Sequence, residues 1–341
     1  MIGCRTGHKG YVSVWMIVAL LGCTGPAMAD PLVHTYSIVA RDPKTGEMGV
    51  AVQSHWFSVG SIVTWAEAGV GVVATQSFVD PGYGPRGLDL MRKGMSAPDA
   101  LKQLVAADPS RDGRQVAMVD AHGRVDAYTG KGAIAAAGHV VGAGVSAQAN
   151  MMGQATVWPA MLAAYEKAPG DLADRLIAAL EAAEGVGGDL RGRQSAAILI
   201  VKPQGSGRPW SGGDRTFDLR VEDHAAPVAE LKRLVRYQRA YAHANRGDEL
   251  MTEKNVDGAL AEYREASRLA PEVMELPFWH AVTLASIGKE AAAAPIFTTV
   301  FAREPQWAEL LGRLPAAGLF PNDAALLRRI QALAPRPRER F

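Results

Sequence analysis

The sequence predicts an α+β protein: two antiparallel sheets packed together with helices outside, an αββα sandwich, followed by a small all-helical domain. Three observations carry this. Short apolar, β-branched runs recur through the first two thirds of the chain and are separated by tight turns. Segments of helical periodicity fall between them in pairs, which argues against a doubly wound parallel sheet. Beyond about Glu222 the strand signals stop, and Ala, Leu, Arg and Glu recur at helical spacing.

Taken in order, strands are expected over 36–40 and 49–52, joined by a turn that holds Pro43 and Gly46. Further strands are expected over 59–63 and 69–75. Helices follow over 88–93 and 96–107, where Ser96 and Asp99 have capping-box spacing. Strands return over 115–120 and 124–129, across Ala121-His122-Gly123, and over 139–147. Helices over 156–167 and 172–183 precede an apolar strand over 195–201 and an edge strand over 217–221. Residues 205–214, rich in Gly, Ser and Pro, read as a loop. In the helical part a 34-residue offset relates Ala259 to Ala293, Tyr263 to Phe297 and Pro271 to Pro305. Those are the small, aromatic and proline positions of a tetratricopeptide helix pair. Arrays of this kind need about three units to stand alone, so this domain is expected to lean on the sandwich, on terminal helices or on a partner. The expected organisation is a leader over 1–29, the sandwich domain over 30–222 and the tetratricopeptide-like domain over 223–341.

A chain of 341 residues is long enough for more than one core. A net charge of +1 gives no basic excess to track phosphates, which excludes nucleic acid as a partner. Arg5 and Lys9 precede an apolar run over 11–22, and Ala27-Met28-Ala29 offers a cleavage site before Asp30. This is an export signal. The run is too short for a comfortable span, so the mature chain is expected to have no transmembrane segment and to be periplasmic or extracellular. Leu20-Leu21-Gly22-Cys23 resembles a lipoprotein box and leaves open an anchor through Cys23. Both cysteines, Cys4 and Cys23, lie in the leader. Cleavage after Ala29 therefore leaves no thiol for a disulfide, a nucleophile or a metal site. The histidines show no H-x-x-x-H or H-E-x-x-H spacing, and neither metal nor cofactor is expected.

Thr35 opens the first hairpin. Its hydroxyl is placed to attack a carbonyl while its own α-amine, titrating near neutrality, takes the proton. That chemistry requires a cut between His34 and Thr35. A β-branched residue starting a strand is the other reading. Gln53, Ser54, Thr75 and Gln76 end two apolar strands; they either line a site and polarise a substrate carbonyl or satisfy backbone groups at the sheet ends. Asp189, Arg191 and Ser195 precede and begin the last apolar strand, as support for Thr35 or as a loop-stabilising pair. Gly82-Tyr83-Gly84-Pro85-Arg86-Gly87 spells G-x-G-x-x-G, but in an antiparallel setting with Pro85 at the turn it is no dinucleotide fingerprint. It reads as a loop, with Arg86 as a clamp for a substrate carboxylate. Trp279 and Trp307, in the helical region, read as core.

Four segments carry a family resemblance: Thr35-Tyr36-Ser37-Ile38-Val39-Ala40-Arg41-Asp42, Gly71-Val72-Val73-Ala74-Thr75-Gln76-Ser77, Tyr83-Gly84-Pro85-Arg86-Gly87, and Gly188-Asp189-Leu190-Arg191-Gly192-Arg193-Gln194-Ser195-Ala196. Together they make the stretch from Thr35 to about Pro203 resemble family 1028 of the domains of unknown function, grouped with N-terminal-nucleophile hydrolases. The resemblance implies catalytic roles for Thr35, Ser54, Asp189 and Ser195, with Gln53, Thr75, Gln76, Arg86 and Arg191 around a small amide or peptide substrate. The chain departs from proteasome-type sites in two ways. Gln53 and Ser54 stand where an Asp is used, and 64–73 contains no Lys. The expected function is an exported amide or peptide hydrolase whose helical domain binds a protein or mediates self-association. The rival expectation is a non-catalytic secreted or lipid-anchored binding protein in which Thr35 stays internal.

Overall fold

The computed structural model describes residues 32–33, 35–208 and 212–335. The leader, both cysteines, His34 and part of the 205–214 loop lie outside the described residues. The chain opens with β1 (Leu32–Val33) and β2 (Thr35–Arg41), and Gly46, at φ +76°, helps turn it back into β3 (Met48–Ser54). Next come α1 (Gly60–Val63), β4 (Thr64–Glu67) and β5 (Gly71–Phe78). A first helix pair, α2 (Tyr83–Arg92) and α3 (Ala97–Ala107), leads into β6 (Arg114–Asp120), β7 (Val125–Thr129), β8 (Gly138–Gly142) and β9 (Val145–Ala149). A second pair, α4 (Val157–Lys167) and α5 (Leu172–Gly185), precedes β10 (Ser195–Val201) and β11 (Arg215–Val221).

The strands form two antiparallel sheets. Sheet I has the order β11-β10-β3-β2-β9-β8; sheet II has β1-β5-β6-β7, with β4 also on β5. Alternation sorts the side chains. Val39, Val50 and Val52 of sheet I meet Val72, Ala74 and Val119 of sheet II in one core between the sheets. Tyr36, Ile38 and Ile198 point the other way, onto Met161, Leu176 and Leu180 of α4 and α5. Full burial of each of those leucines contributes about 2 kcal/mol. On the far face of sheet II, Leu88, Met91 and Leu101 of α2 and α3 cover Val73, Val116 and Met118. Ser96 caps α3 by accepting from the Asp99 N–H, as its spacing predicts.

Three expected elements differ. Residues 59–63 are not a strand: the chain reverses at Ser58 (φ +55°), and Val59 and Val63, four apart, bury the same face of a helical turn. The helix expected over 88–93 begins at Tyr83, so the G-x-G-x-x-G string is helical rather than a loop. Pro85 is tolerated in the first turn, where its missing N–H is not needed. Gly84 is there for contact, since a Cβ on it would lie 2.2 Å from the Trp65 ring. The single strand expected over 139–147 is two, turned at Gly144 (φ +69°).

The remainder is helical: α6 (Pro227–Thr252), α7 (Val256–Leu269), α8 (Glu275–Ser286), α9 (Glu290–Arg303), α10 (Gln306–Arg313) and α11 (Ala324–Gln331). α7 and α9 are both 14 residues long and stand at the 34-residue offset, with Ala259, Tyr263, Ala293 and Phe297 buried. The expected boundary at 222/223 falls just before α6, which belongs to both bodies. Val228, Leu231 and Val235 join the core beneath sheet I, whereas Ala240 packs with Ala266 and Leu276. Arg239 adds ion pairs to Asp171 and Asp174 of the second helix pair. Among the described residues, no helix is long and apolar enough to cross a membrane.

His280 of α8 is buried against Tyr263, with ring centroids 5.9 Å apart. Burial, and secondarily the charge of Arg264, press its pKa down from 6.5 to about 4. The unfolded chain therefore binds a proton that the folded chain refuses between those values. This contribution to stability is complete above about pH 6.5 and is lost as pH falls towards 4. Urea midpoints measured at pH 7.5 and 4.5 are expected to fall more in the wild type than in His280→Phe.

Candidate functional site

At the end of the two-sheet body where β2 begins, the inward-facing residues change from apolar to polar. In sheet I, Ser195 lies opposite Ser54, and Ser54 lies opposite Thr35. Asn150, just past β9, continues the row by donating its N–H to the Thr35 carbonyl at 3.1 Å. Sheet II supplies Gln76 and Gln115, paired across β5 and β6. One step further in are Ser37 and Gln148. All eight side chains are fully buried and uncharged.

Their hydrogen bonds interlock. The Thr35 hydroxyl donates to Ser54 Oγ at 3.1 Å. Gln76 is the hub: Nε2 donates to the Thr35 carbonyl (3.0 Å) and to Gln115 Oε1 (2.8 Å), while Oε1 accepts from Ser37 Oγ at 2.6 Å. Asn150 Nδ2 donates to Gln115 Oε1 at 2.8 Å. Gln148 Nε2 donates to Ser37 Oγ and to the Ala74 carbonyl, both at 3.2 Å. Gln115 Nε2 reaches the Ala149 carbonyl at 2.9 Å and Thr129 Oγ1 at 3.0 Å. At the rim, Thr129 Oγ1 is 2.8 Å from His139 Nδ1, and burial holds that imidazole below its ordinary pKa. Most of these buried amides and hydroxyls are tolerated because partners replace water, although Gln148 Oε1 has none among the described residues.

β1 pairs with β5 of sheet II through Leu32–Phe78 and Val33–Ser77, whereas Thr35 already pairs in sheet I. The chain thus crosses from one sheet to the other immediately before Thr35. Beside that crossing Ser77 has φ +72°, a left-handed conformation costly for a residue with a side chain.

The other sequence-predicted residues are distributed unevenly. Ser195 lies in the row, but its hydroxyl donates to the Trp56 carbonyl (2.5 Å) and accepts from the Val59 N–H (3.1 Å), anchoring α1. Asp189 is buried and accepts from the His55 N–H at 3.0 Å, and it pairs with Arg191 at 2.8 Å, tying its loop to the end of β3. Gln53 is on the opposite face of sheet I, directly across from Tyr36, and among the described residues neither of its amide atoms has a partner. Thr75 is on the helix-covered face of sheet II, donating to the Asp80 carbonyl at 3.2 Å. Arg86 lies at the surface, paired with Asp80. Of the residues expected around the substrate, Gln53, Thr75, Gln76, Arg86 and Arg191, it is Gln76 that hydrogen-bonds Thr35, whereas Arg191 is engaged with Asp189. Ser37, Gln115, Gln148 and Asn150 were not anticipated, although Ser146-Ala147-Gln148-Ala149-Asn150 alternates visibly. Among the described residues no cluster of three His, Cys, Asp or Glu is arranged to hold a metal.

A family of unknown function, DUF1028, matches residues 35–231. Among solved structures, the crystal structure of protein SPO2555 from Silicibacter pomeroyi, itself described as DUF1028, is similar at a TM-score of 0.55 and 32% identity. The similarity covers 62% of this chain and 89% of that one. No curated protein matches.

Replacing the hub tests the layer. Gln76→Leu keeps the volume but strips partners from Ser37, Gln115 and the Thr35 carbonyl. A loss of about 2–4 kcal/mol is expected in urea denaturation.

Proposed function

The chain belongs to the DUF1028 family, and we propose that it is an exported hydrolase of amide or peptide bonds whose nucleophile is Thr35, freed by cleavage after His34. The observation that carries this reading is the Thr35 hydroxyl at the head of β2, 3.1 Å from Ser54 Oγ, inside a buried polar layer built without charge. Among the described residues, no titratable side chain hydrogen-bonds that hydroxyl. The base the chemistry requires is then the α-amine that cleavage would create, held one residue's width from the oxygen it serves. Two antiparallel sheets with helices on both outer faces support the αββα arrangement of N-terminal-nucleophile hydrolases. The paired offsets of α7 and α9 support a tetratricopeptide-like domain that binds a protein or a second copy.

In this mechanism Thr35 Oγ1 bonds to the substrate carbonyl carbon, and the α-amine takes its proton and passes it to the departing nitrogen. The resulting ester is cleaved by water, with the same amine as base. Gln76 and Asn150 hold the Thr35 carbonyl, so the nucleophile's backbone is fixed before substrate arrives. Ser54 orients the hydroxyl. No cofactor is required, because nucleophile and base share one residue. The leader over 1–29 would supply the first processing event and place the protein in the periplasm or outside the cell.

One observation favours the non-catalytic alternative: with residues 32–33 in place, Thr35 is fully buried and its carbonyl accepts twice. Intact mass of the exported protein separates the two. A mature terminus at Thr35 is expected; a terminus at Asp30 with no shorter form would overturn the hydrolase. Against a panel of chromogenic amides, Thr35→Ala is expected to lose about a thousandfold or more in kcat/KM. Its urea stability should shift by only about 1 kcal/mol, the worth of one hydrogen bond.

A further inference from the structure

Two adjoining cavities lie in the helical region, on faces that the Thr35 chemistry leaves unused. Tyr241, Asn245 and Asp248 project from one face of α6 at three- and four-residue spacing, and Glu275 and Trp279 from α8 do likewise. With Tyr263 of α7 they line a cavity of about 280 Å³. Asp248, Tyr263 and Trp279 also line an adjoining cavity of about 580 Å³ that runs to Phe320. Three aromatic rings and two carboxylates thus face one space, and among the described residues no Lys, Arg or His lines either cavity.

The carboxylates are oriented by the rings. Tyr263 donates to Asp248 Oδ1 at 2.6 Å, and Tyr241 donates to Glu275 Oε2 at 2.8 Å. Burial and the Glu275 carboxylate push the Tyr241 phenol up to about 12, so it remains a donor at neutral pH. Neighbouring acids on and beside these helices are paired: Glu249 and Glu253 with Arg246, Glu272 with Arg236, and Glu262 with His243. Asp248 and Glu275 have no such ion pair among the described residues.

Negative charge beside aromatic faces favours one chemistry. An anion would be repelled, and a neutral apolar group would leave both carboxylates uncompensated. A cation carrying methylene or methyl groups satisfies both parts, through charge to the carboxylates and through the ring quadrupoles. We propose that this cavity binds an organic cation, an alkylammonium or guanidinium group. The group arrives on a free amine or as a Lys or Arg side chain of a partner peptide.

Calorimetric titration of the full chain with agmatine, tetramethylammonium and a short Arg-Ala repeat peptide tests this. Saturable binding is expected, weakened by salt and absent with a Glu-Ala peptide. The double variant Asp248→Asn, Glu275→Gln preserves shape and is expected to weaken binding about tenfold or more; Trp279→Leu, which leaves the charges alone, should do the same. A peptide binding more tightly than agmatine assigns a protein partner, and agmatine binding as well or better assigns a free amine. No saturable binding up to about 10 mM, equal binding of the Glu-Ala peptide, or unchanged affinity in both variants would overturn the site. None of these measurements depends on Thr35 or on processing.

Discussion

The hydrogen-bonded layer between the sheets, with Gln76 at its hub, is the constraint on which the architecture around Thr35 rests. Elsewhere the sheets are held by valine and alanine contacts, which are non-directional and tolerate exchange of similar volumes. A network of amides is directional: each donor must find its acceptor or bear a desolvation cost. It therefore fixes the register of β5 against β2 and β9 in a way apolar packing does not. The same bonds hold the Thr35 main chain. Support for the fold and placement of the candidate nucleophile are one set of contacts.

The two bodies are joined by structure rather than by a hinge. α6 runs 26 residues, with its first turns in the core under sheet I and its later turns in the helical domain. Arg239 pins it to Asp171 and Asp174. The helical region gains here an anchor on the two-sheet body. The face of α6 that carries Tyr241 and Asp248 is held in place by the same rod.

Much of this was legible from residue order, where local chemistry and burial agree. The first hairpin was readable because Gly46 marks the turn between two apolar runs; α3 was readable from Ser96 and Asp99. Misreadings arose where tertiary context decided. The run 59–63 is β-branched, yet the buried spacing of Val59 and Val63 makes it a turn of helix. The polar layer was missed for a related reason. Polar residues alternating along β9 ordinarily face water, and only the second sheet turns Gln148 and Asn150 inward. Gln53 and Gln76 end similar strands but face opposite ways. Where both faces of a strand are buried, as in β3, the alternation carries no in-or-out signal to separate Gln53 from Ser54.

The two short rungs that Leu32 and Val33 make with β5 extend an edge that β4 begins. Severing the chain ahead of Thr35 would detach them, leaving the main-chain groups of Ser77 and Phe78 without their ladder partner. An unfinished sheet margin of that kind accepts an extended backbone of any sequence. The scission proposed to liberate the Thr35 amine would then also vacate a berth beside it, long enough for a dipeptide and too short to seed runaway strand addition.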